Sequence, residues 1–306
     1  MKIKSKVLGL VMAIAISGIP SIVNAEETTD KIVLNFKEDK IGLSLSGGGL
    51  LGSYELGALQ YLREQGIEIT DFDSAIGTSV GSLVLCSVLS NGQDYTTDMM
   101  MNIQANDICV GKLNNSKCEK LNNYWDKVFI KKNDIGNITL MGKGLICGQL
   151  DTTPLRNMIK NNINENKVLN SGVEIGLCVT PSTNLLKPQL KSGNQLNGKL
   201  ADWTIASSSC WPVFEAYKVD GKAWVDGGYK SCHNADFLIN NFNCDKIVVI
   251  DLQSKERSTD PNMVHIVSST DLGSFLDFSP EQIRANYNQG YNDCKTYFEG
   301  NVEIIK

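Results

Sequence analysis

Two stretches of the chain share one order of apolar and polar positions: a short apolar strand, a glycine-rich turn, then apolar residues at helical spacing. In the first, Ile41-Gly42-Leu43-Ser44-Leu45 alternates as a strand does. It runs into Ser46-Gly47-Gly48-Gly49-Leu50-Leu51-Gly52. Tyr54, Leu56, Leu59, Tyr61 and Leu62 then recur at helical spacing until Gln65-Gly66 ends the pattern. In the second, the strand at residues 72–76 enters Gly77-Thr78-Ser79-Val80-Gly81, and residues 82–89 are apolar enough for a buried helix. Strand, loop, helix, strand, sharp turn, helix is the order of a parallel α/β sheet. Residues 173–179 and 246–252 read as further strands, and residues 200–208 as a short helix stopped before Pro212. Ser279-Pro280-Glu281-Gln282 opens a last helix with Ser as N-cap, Pro at N1 and Gln at N3, running to about Phe298. The pattern predicts an α/β fold with a mostly parallel central sheet and helices on both faces.

The first 25 residues stand apart from this pattern. Lys2, Lys4 and Lys6 precede an apolar run at residues 7–16, and Val23-Asn24-Ala25 offers a small-residue cleavage site. That is the grammar of a secretory signal peptide, and the apolar run is shorter than the ~20 residues a spanning helix needs. The expected organisation is a signal peptide at 1–25 and one domain at 33–306, with the product exported to a periplasmic or extracellular compartment. Removing the segment takes away three Lys and no acids, leaving 26 basic and 34 acidic residues and a net charge of −8. Such a chain has no general attraction to nucleic acid or to anionic membranes, so lipid binding would rest on a local apolar surface.

All nine Cys lie beyond residue 25, and an oxidising compartment makes some pairing expected. Cys109–Cys118 and Cys232–Cys244 flank short polar loops and are the candidate bridges, while Cys86 and Cys178 sit in apolar runs as buried free thiols. No C-x-x-C occurs and only two His are present, so neither a metal site nor a cofactor is expected. Asn114-Asn115-Ser116 and Asn137-Ile138-Thr139 fit the glycosylation acceptor pattern.

Three segments carry candidate chemistry. Gly77 to Gly81 is a G-x-S-x-G pentapeptide whose glycines permit a strained strand-to-helix turn. It presents the Ser79 hydroxyl beside a helix N-terminus whose partial positive charge favours a developing anion. Gly47-Gly48-Gly49 cost chain entropy and contribute no packing, so they mark a close backbone approach. They match no phosphate-loop spacing, and their N–H groups suit the oxyanion of an acyl-transfer intermediate better. Trp224-Val225-Asp226-Gly227-Gly228 ends an apolar strand on an open carboxylate, where a plain Asp-Gly turn is the other reading. Met99-Met100-Met101 with Ile103 suits either core packing or a flap over an acyl chain.

Together these segments resemble the patatin-like phospholipase family, with its G-G-G-x-[RK]-G loop, G-x-S-x-G elbow and D-G-[GA] motif. Two further runs agree in order: Gly144 through Arg156, and Ala206-Ser207-Ser208-Ser209-Cys210-Trp211-Pro212-Val213-Phe214. The resemblance implies a patatin-like α/β fold and an acyl hydrolase that meets phospholipid or another acyl lipid, and a membrane surface transiently. It implies a dyad in which Asp226 takes the proton of Ser79, with Gly47, Gly48 and Gly49 as oxyanion hole. One position departs: the family's Arg or Lys in the glycine loop is here Leu51. The order Ser79, Asp226, His265 also satisfies an α/β-hydrolase triad, although His265 in Met263-Val264-His265-Ile266-Val267 reads as a strand residue. His233 is expected on a surface loop. An inactive lipid-binding relative is the third reading.

Overall fold

The computed structural model describes residues 31–110 and 149–306. The expected leader at 1–25, Cys118, Cys147, both glycosylation patterns and the first five residues of the run from Gly144 lie outside the described residues. Among the described residues no helix is long and apolar enough to cross a membrane.

The elements are β1 (Ile32–Asn35), β2 (Ile41–Leu45), α1 (Gly52–Glu64), β3 (Ser74–Thr78), α2 (Val80–Asn91), α3 (Gln93–Asn102) and α4 (Ala105–Ile108). Beyond residue 148 come α5 (Thr153–Asn162), α6 (Glu165–Leu169), β4 (Glu174–Pro181), β5 (Gln189–Ser192), α7 (Leu200–Ser207), β6 (Tyr217–Val219) and β7 (Lys222–Asp226). The chain closes with α8 (Asp236–Phe242), β8 (Lys246–Asp251), β9 (Met263–Val267), α9 (Pro280–Asn301) and β10 (Val302–Ile305). The main sheet has the order β6-β7-β4-β3-β2-β8-β9, with β5 also on β4. Strands β4, β3, β2, β8 and β9 are parallel, whereas β5, β6 and β7 pair antiparallel at one side. The main sheet is therefore mixed, and β1 and β10 form a separate parallel pair.

Side-chain alternation divides the core between the two faces of the sheet. Val248 and Ile250 join Leu43, Leu45 and Leu177 in the larger cluster, with residues of α1, α2 and α9. Ile247 and Val249 face the other way, onto Leu238 and Phe242 of α8. Helices α1 and α9 cross closely through two glycines. A Cβ on Gly57 would lie 1.9 Å from the Tyr287 carbonyl oxygen, and one on Gly290 the same distance from that of Tyr54.

Two expectations change. Ser279 does precede α9 with Pro280 at N1, but its hydroxyl donates to Asp277 Oδ1 at 2.6 Å instead of capping the helix. Cys232 and Cys244 are separate thiols. The Cys232 carbonyl meets Gly47 beyond the end of β2, while Cys244 Sγ packs by Gly42 at its start, so the length of the strand divides them. Cys86 and Cys178 are buried free thiols, as read from their apolar runs, and burial pushes both up to about 12.

Candidate active site

The sheet order places the ends of the parallel strands β2 and β3 and of the antiparallel β7 around one cavity of about 380 Å³. Ser79 stands between β3 and α2 with φ 54° and ψ −123°, a backbone that residues with a side chain rarely adopt. The flanking glycines are required by contact. A Cβ on Gly77 would lie 2.5 Å from Ser82 Cα, and one on Gly81 would lie 2.3 Å from the Leu45 carbonyl oxygen. The turn is braced by Ser207, whose hydroxyl accepts the Ser79 N–H at 2.9 Å, donates to the Cys178 carbonyl at 2.7 Å and meets the Ser82 hydroxyl at 2.8 Å.

Asp226 ends β7 and is 7 % exposed. Its N–H donates to the Ser209 carbonyl at 3.0 Å, and its Oδ1 accepts the Gly228 N–H at 2.8 Å. Burial raises the carboxyl to about 6, against the opposing pull of the facing Ser79 hydroxyl and the Gly228 amide. A carboxylate raised this far is a better base near neutral pH than one at its ordinary value. The run from Ala206 to Phe214 thus has a physical role: Ser207 holds the Ser79 turn and Ser209 holds Asp226.

The glycine loop borders the same cavity, but its three amides are not equivalent. The Gly47 N–H donates to the Cys232 carbonyl at 2.9 Å, and the Gly47 carbonyl accepts from Gln253 Nε2 at 3.2 Å. Gly48 and Gly49 line the cavity, and no hydrogen bond to the described residues takes their N–H groups. Gly49 has φ +56°, and a Cβ there would strike the Phe275 carbonyl oxygen at 2.4 Å, so the position requires glycine. Leu51 is buried in the larger core cluster. The loop is therefore fastened by an apolar anchor together with the Leu50 N–H bond to the Phe275 carbonyl at 2.9 Å.

The rest of the cavity is apolar, with Leu83 and Val84 of α2, Leu155, Met158 and Ile159 of α5, and Phe275, Leu276 and Phe278 in its wall. Met99 and Met100 line it too, and Met100 and Met101 pack with the core, which bears out the packing role of the methionine run. Among the described lining residues Asp226 is the single ionisable carboxyl, and no Lys, Arg or His joins it.

Neither His reaches this site. His265 is buried on β9 with Nε2 3.2 Å from Asp251 Oδ2, and its Nδ1 accepts the Ser258 N–H at 2.9 Å. Both ring nitrogens are engaged, so a triad of Ser79, Asp226 and His265 is not assembled. His233 is half-buried, not on an open loop, with Nε2 3.9 Å from Asp251 Oδ2 and Nδ1 accepting the Ala235 N–H at 3.1 Å. Burial presses Asp251 upward, yet bonds from His265, Ser254 and the Gln253 amide outweigh that and hold it well below the carboxylate range. Among the described residues no group of three or more His, Cys, Asp or Glu is placed to hold a metal ion.

Comparison with known proteins gives one family: the model of patatin-like phospholipase matches residues 43–243. No curated protein matches the chain. VipD from Legionella pneumophila is 15% identical at a TM-score of 0.42, over 86% of this chain and 67% of VipD. The type III effector protein ExoU is 13% identical at 0.43, over 85% of this chain and 53% of ExoU. ExoU from Pseudomonas aeruginosa in complex with SpcU is 12% identical at 0.40, over 84% and 52%. The chain thus spans about two thirds of VipD and about half of ExoU.

Proposed function

Because the chain belongs to the patatin-like phospholipase family, whose members act on lipids, we propose that it is an exported serine lipid acyl hydrolase of phospholipase A or lysophospholipase type. The observation that carries this reading is the strained Ser79 turn facing a buried Asp226 on an apolar cavity. In the reaction, Asp226 accepts the Ser79 proton as the hydroxyl oxygen attacks the acyl carbonyl. The tetrahedral oxyanion is met by the free amides of Gly48 and Gly49, with the N-terminus of α2 adding its partial positive charge. Collapse expels the alcohol, which takes the proton back from Asp226. Asp226 then activates a water that releases the fatty acid and restores Ser79. The Gly47 amide, committed to Cys232, holds the loop and leaves the oxyanion to its two neighbours.

The apolar wall suits an acyl chain, and because the net charge is negative, transient docking on membranes rests on apolar contact and not on charge. Export follows from the leader, with cleavage after Ala25 into a periplasmic or extracellular space.

The test is hydrolysis of mixed phospholipids and lysophospholipids by wild type beside Ser79→Ala. Ser79→Ala should lose several orders of magnitude in rate. Activity above about a hundredth of wild type would place the nucleophile elsewhere. Intact mass of secreted protein tests the leader, and a mature chain still beginning at Met1 would reject it.

A further inference from the structure

Ser79 and Asp226 stand at the ends of strands that do not touch. The sheet order is β7-β4-β3, so β4 lies between the strand that ends at the nucleophile and the strand that ends at the base. Their alignment through the sheet passes through two separate strand pairings, one of only three residue pairs between β4 and β7. Catalytic contact tolerates little slack, since a misplacement of about 1 Å can cost on the order of a hundredfold in rate.

One buried side chain joins the two ends directly. The two hydrogens of Asn234 Nδ2 are shared among three acceptors, Thr78 Oγ1 at 3.1 Å, the Gly227 carbonyl at 3.3 Å and the Ser231 carbonyl at 2.7 Å. Thr78 immediately precedes the nucleophile and Gly227 immediately follows the base. Asn234 and Thr78 are both buried, so water does not compete for these bonds. Asn234 also holds φ 47°, a left-handed conformation that Asn tolerates better than most residues and that an ordinary packing residue would not occupy. Its own N–H donates to Ser231 Oγ at 3.3 Å, which fixes the turn leading into α8.

We propose that Asn234 is the positioning residue of the Ser79–Asp226 pair, its amide tying the strand end before the nucleophile to the turn after the base. This rests on the reading of Ser79 and Asp226 as the catalytic pair. Asn234 touches neither substrate nor reacting atoms, and it acts through Thr78 and Gly227.

The experiment compares Asn234→Gly, which suits the left-handed backbone, with Thr78→Val, which removes the acceptor, and Thr78→Ser, which restores a hydroxyl. Wild type and Ser79→Ala are measured beside them. On a soluble short-chain ester, Asn234→Gly should lose about tenfold to a hundredfold in kcat. KM, and binding of a non-hydrolysable ether lipid, should stay within about twofold, because the apolar wall is untouched. The acid limb of the kcat/KM profile should move above pH 6, since the Ser79 contact that lowers Asp226 is loosened. Thr78→Val should lose part of the same kcat and Thr78→Ser should recover it. The double variant of Asn234→Gly with Thr78→Val should be little worse than Asn234→Gly alone, as one shared bond cannot be lost twice. A folded Asn234→Gly with kcat within twofold of wild type, beside a dead Ser79→Ala, overturns the inference. So does an additive double variant with an unmoved acid limb. If Asn234→Gly does not fold, failure of Thr78→Val to lose kcat overturns it equally. Activity surviving in Ser79→Ala instead overturns the catalytic reading underneath.

Discussion

Consider Asp226→Asn, which removes one negative charge from a buried site and keeps the shape of the side chain. The amide oxygen can still accept the Gly228 N–H that Oδ1 now accepts at 2.8 Å. What disappears is the ionisation of a carboxyl raised by burial from 3.8 to about 6. A shift of roughly two units corresponds to about 3 kcal/mol of free energy at about 1.4 kcal/mol per unit. The sign follows from proton counting. Between about pH 4 and pH 6 the folded wild type binds more protons at this site than the unfolded chain does, so its stability falls as pH rises through that window. Asp226→Asn has no such titration. The two proteins should be closest in stability below pH 4. By pH 7 to 8 the variant should lead by up to about 3 kcal/mol relative to that baseline. Glu55 is also buried, and desolvation pushes its carboxyl well above the usual range, giving a background of the same sign in both proteins that cancels in the difference. Urea unfolding followed by circular dichroism at pH 4, 5, 6, 7 and 8 measures the gap, and hydrolysis of a soluble ester measures the loss of activity. A gap independent of pH, or one that closes as pH rises, would refute the reasoning and mean that the carboxylate is as well solvated inside as outside. A stabilised and inactive variant is the outcome expected of a site where function is kept at the expense of stability.

The remaining expectations share the same assays. Wild-type kcat/KM should decline as pH drops below about 6, because the base must be ionised to accept a proton, and a profile flat down to pH 4 would exclude Asp226 as that base. His233→Gln and His265→Gln should each keep kcat/KM within a few-fold, as both rings are turned toward Asp251. A loss on the order of a thousandfold in either folded variant would restore the triad. Ser207→Ala should cost about 1–3 kcal/mol in urea unfolding by leaving the Ser79 N–H without its acceptor, and an unchanged midpoint would contradict the bracing role.

The candidate reacting residues are legible in the sequence because their neighbours are constrained by backbone geometry. Gly77 and Gly81 cannot carry a Cβ at 2.5 Å and 2.3 Å from other atoms, and Gly49 cannot at 2.4 Å, so these requirements show as glycines in the chain. The parallel half of the sheet was legible for related reasons: β4 and β8 are buried on both faces and read as apolar runs, while β2 and β3 run straight into glycine-rich turns. The antiparallel side was not, because β5 and β6 are four and three residues long and mix polar with apolar positions. Nor could residue types show which amides of the glycine loop are free, since the bond that occupies Gly47 ends on a backbone carbonyl at Cys232, and any residue has one. Asn234 is the sharper case. Asn next to Ala and His signals only a turn, and its significance comes from where the fold delivers Thr78 and Gly227. Chemistry that needs a particular atom leaves a mark in local sequence. Alignment of two such atoms depends on contacts between distant segments, made by common residue types, and appears only when the strands are placed side by side.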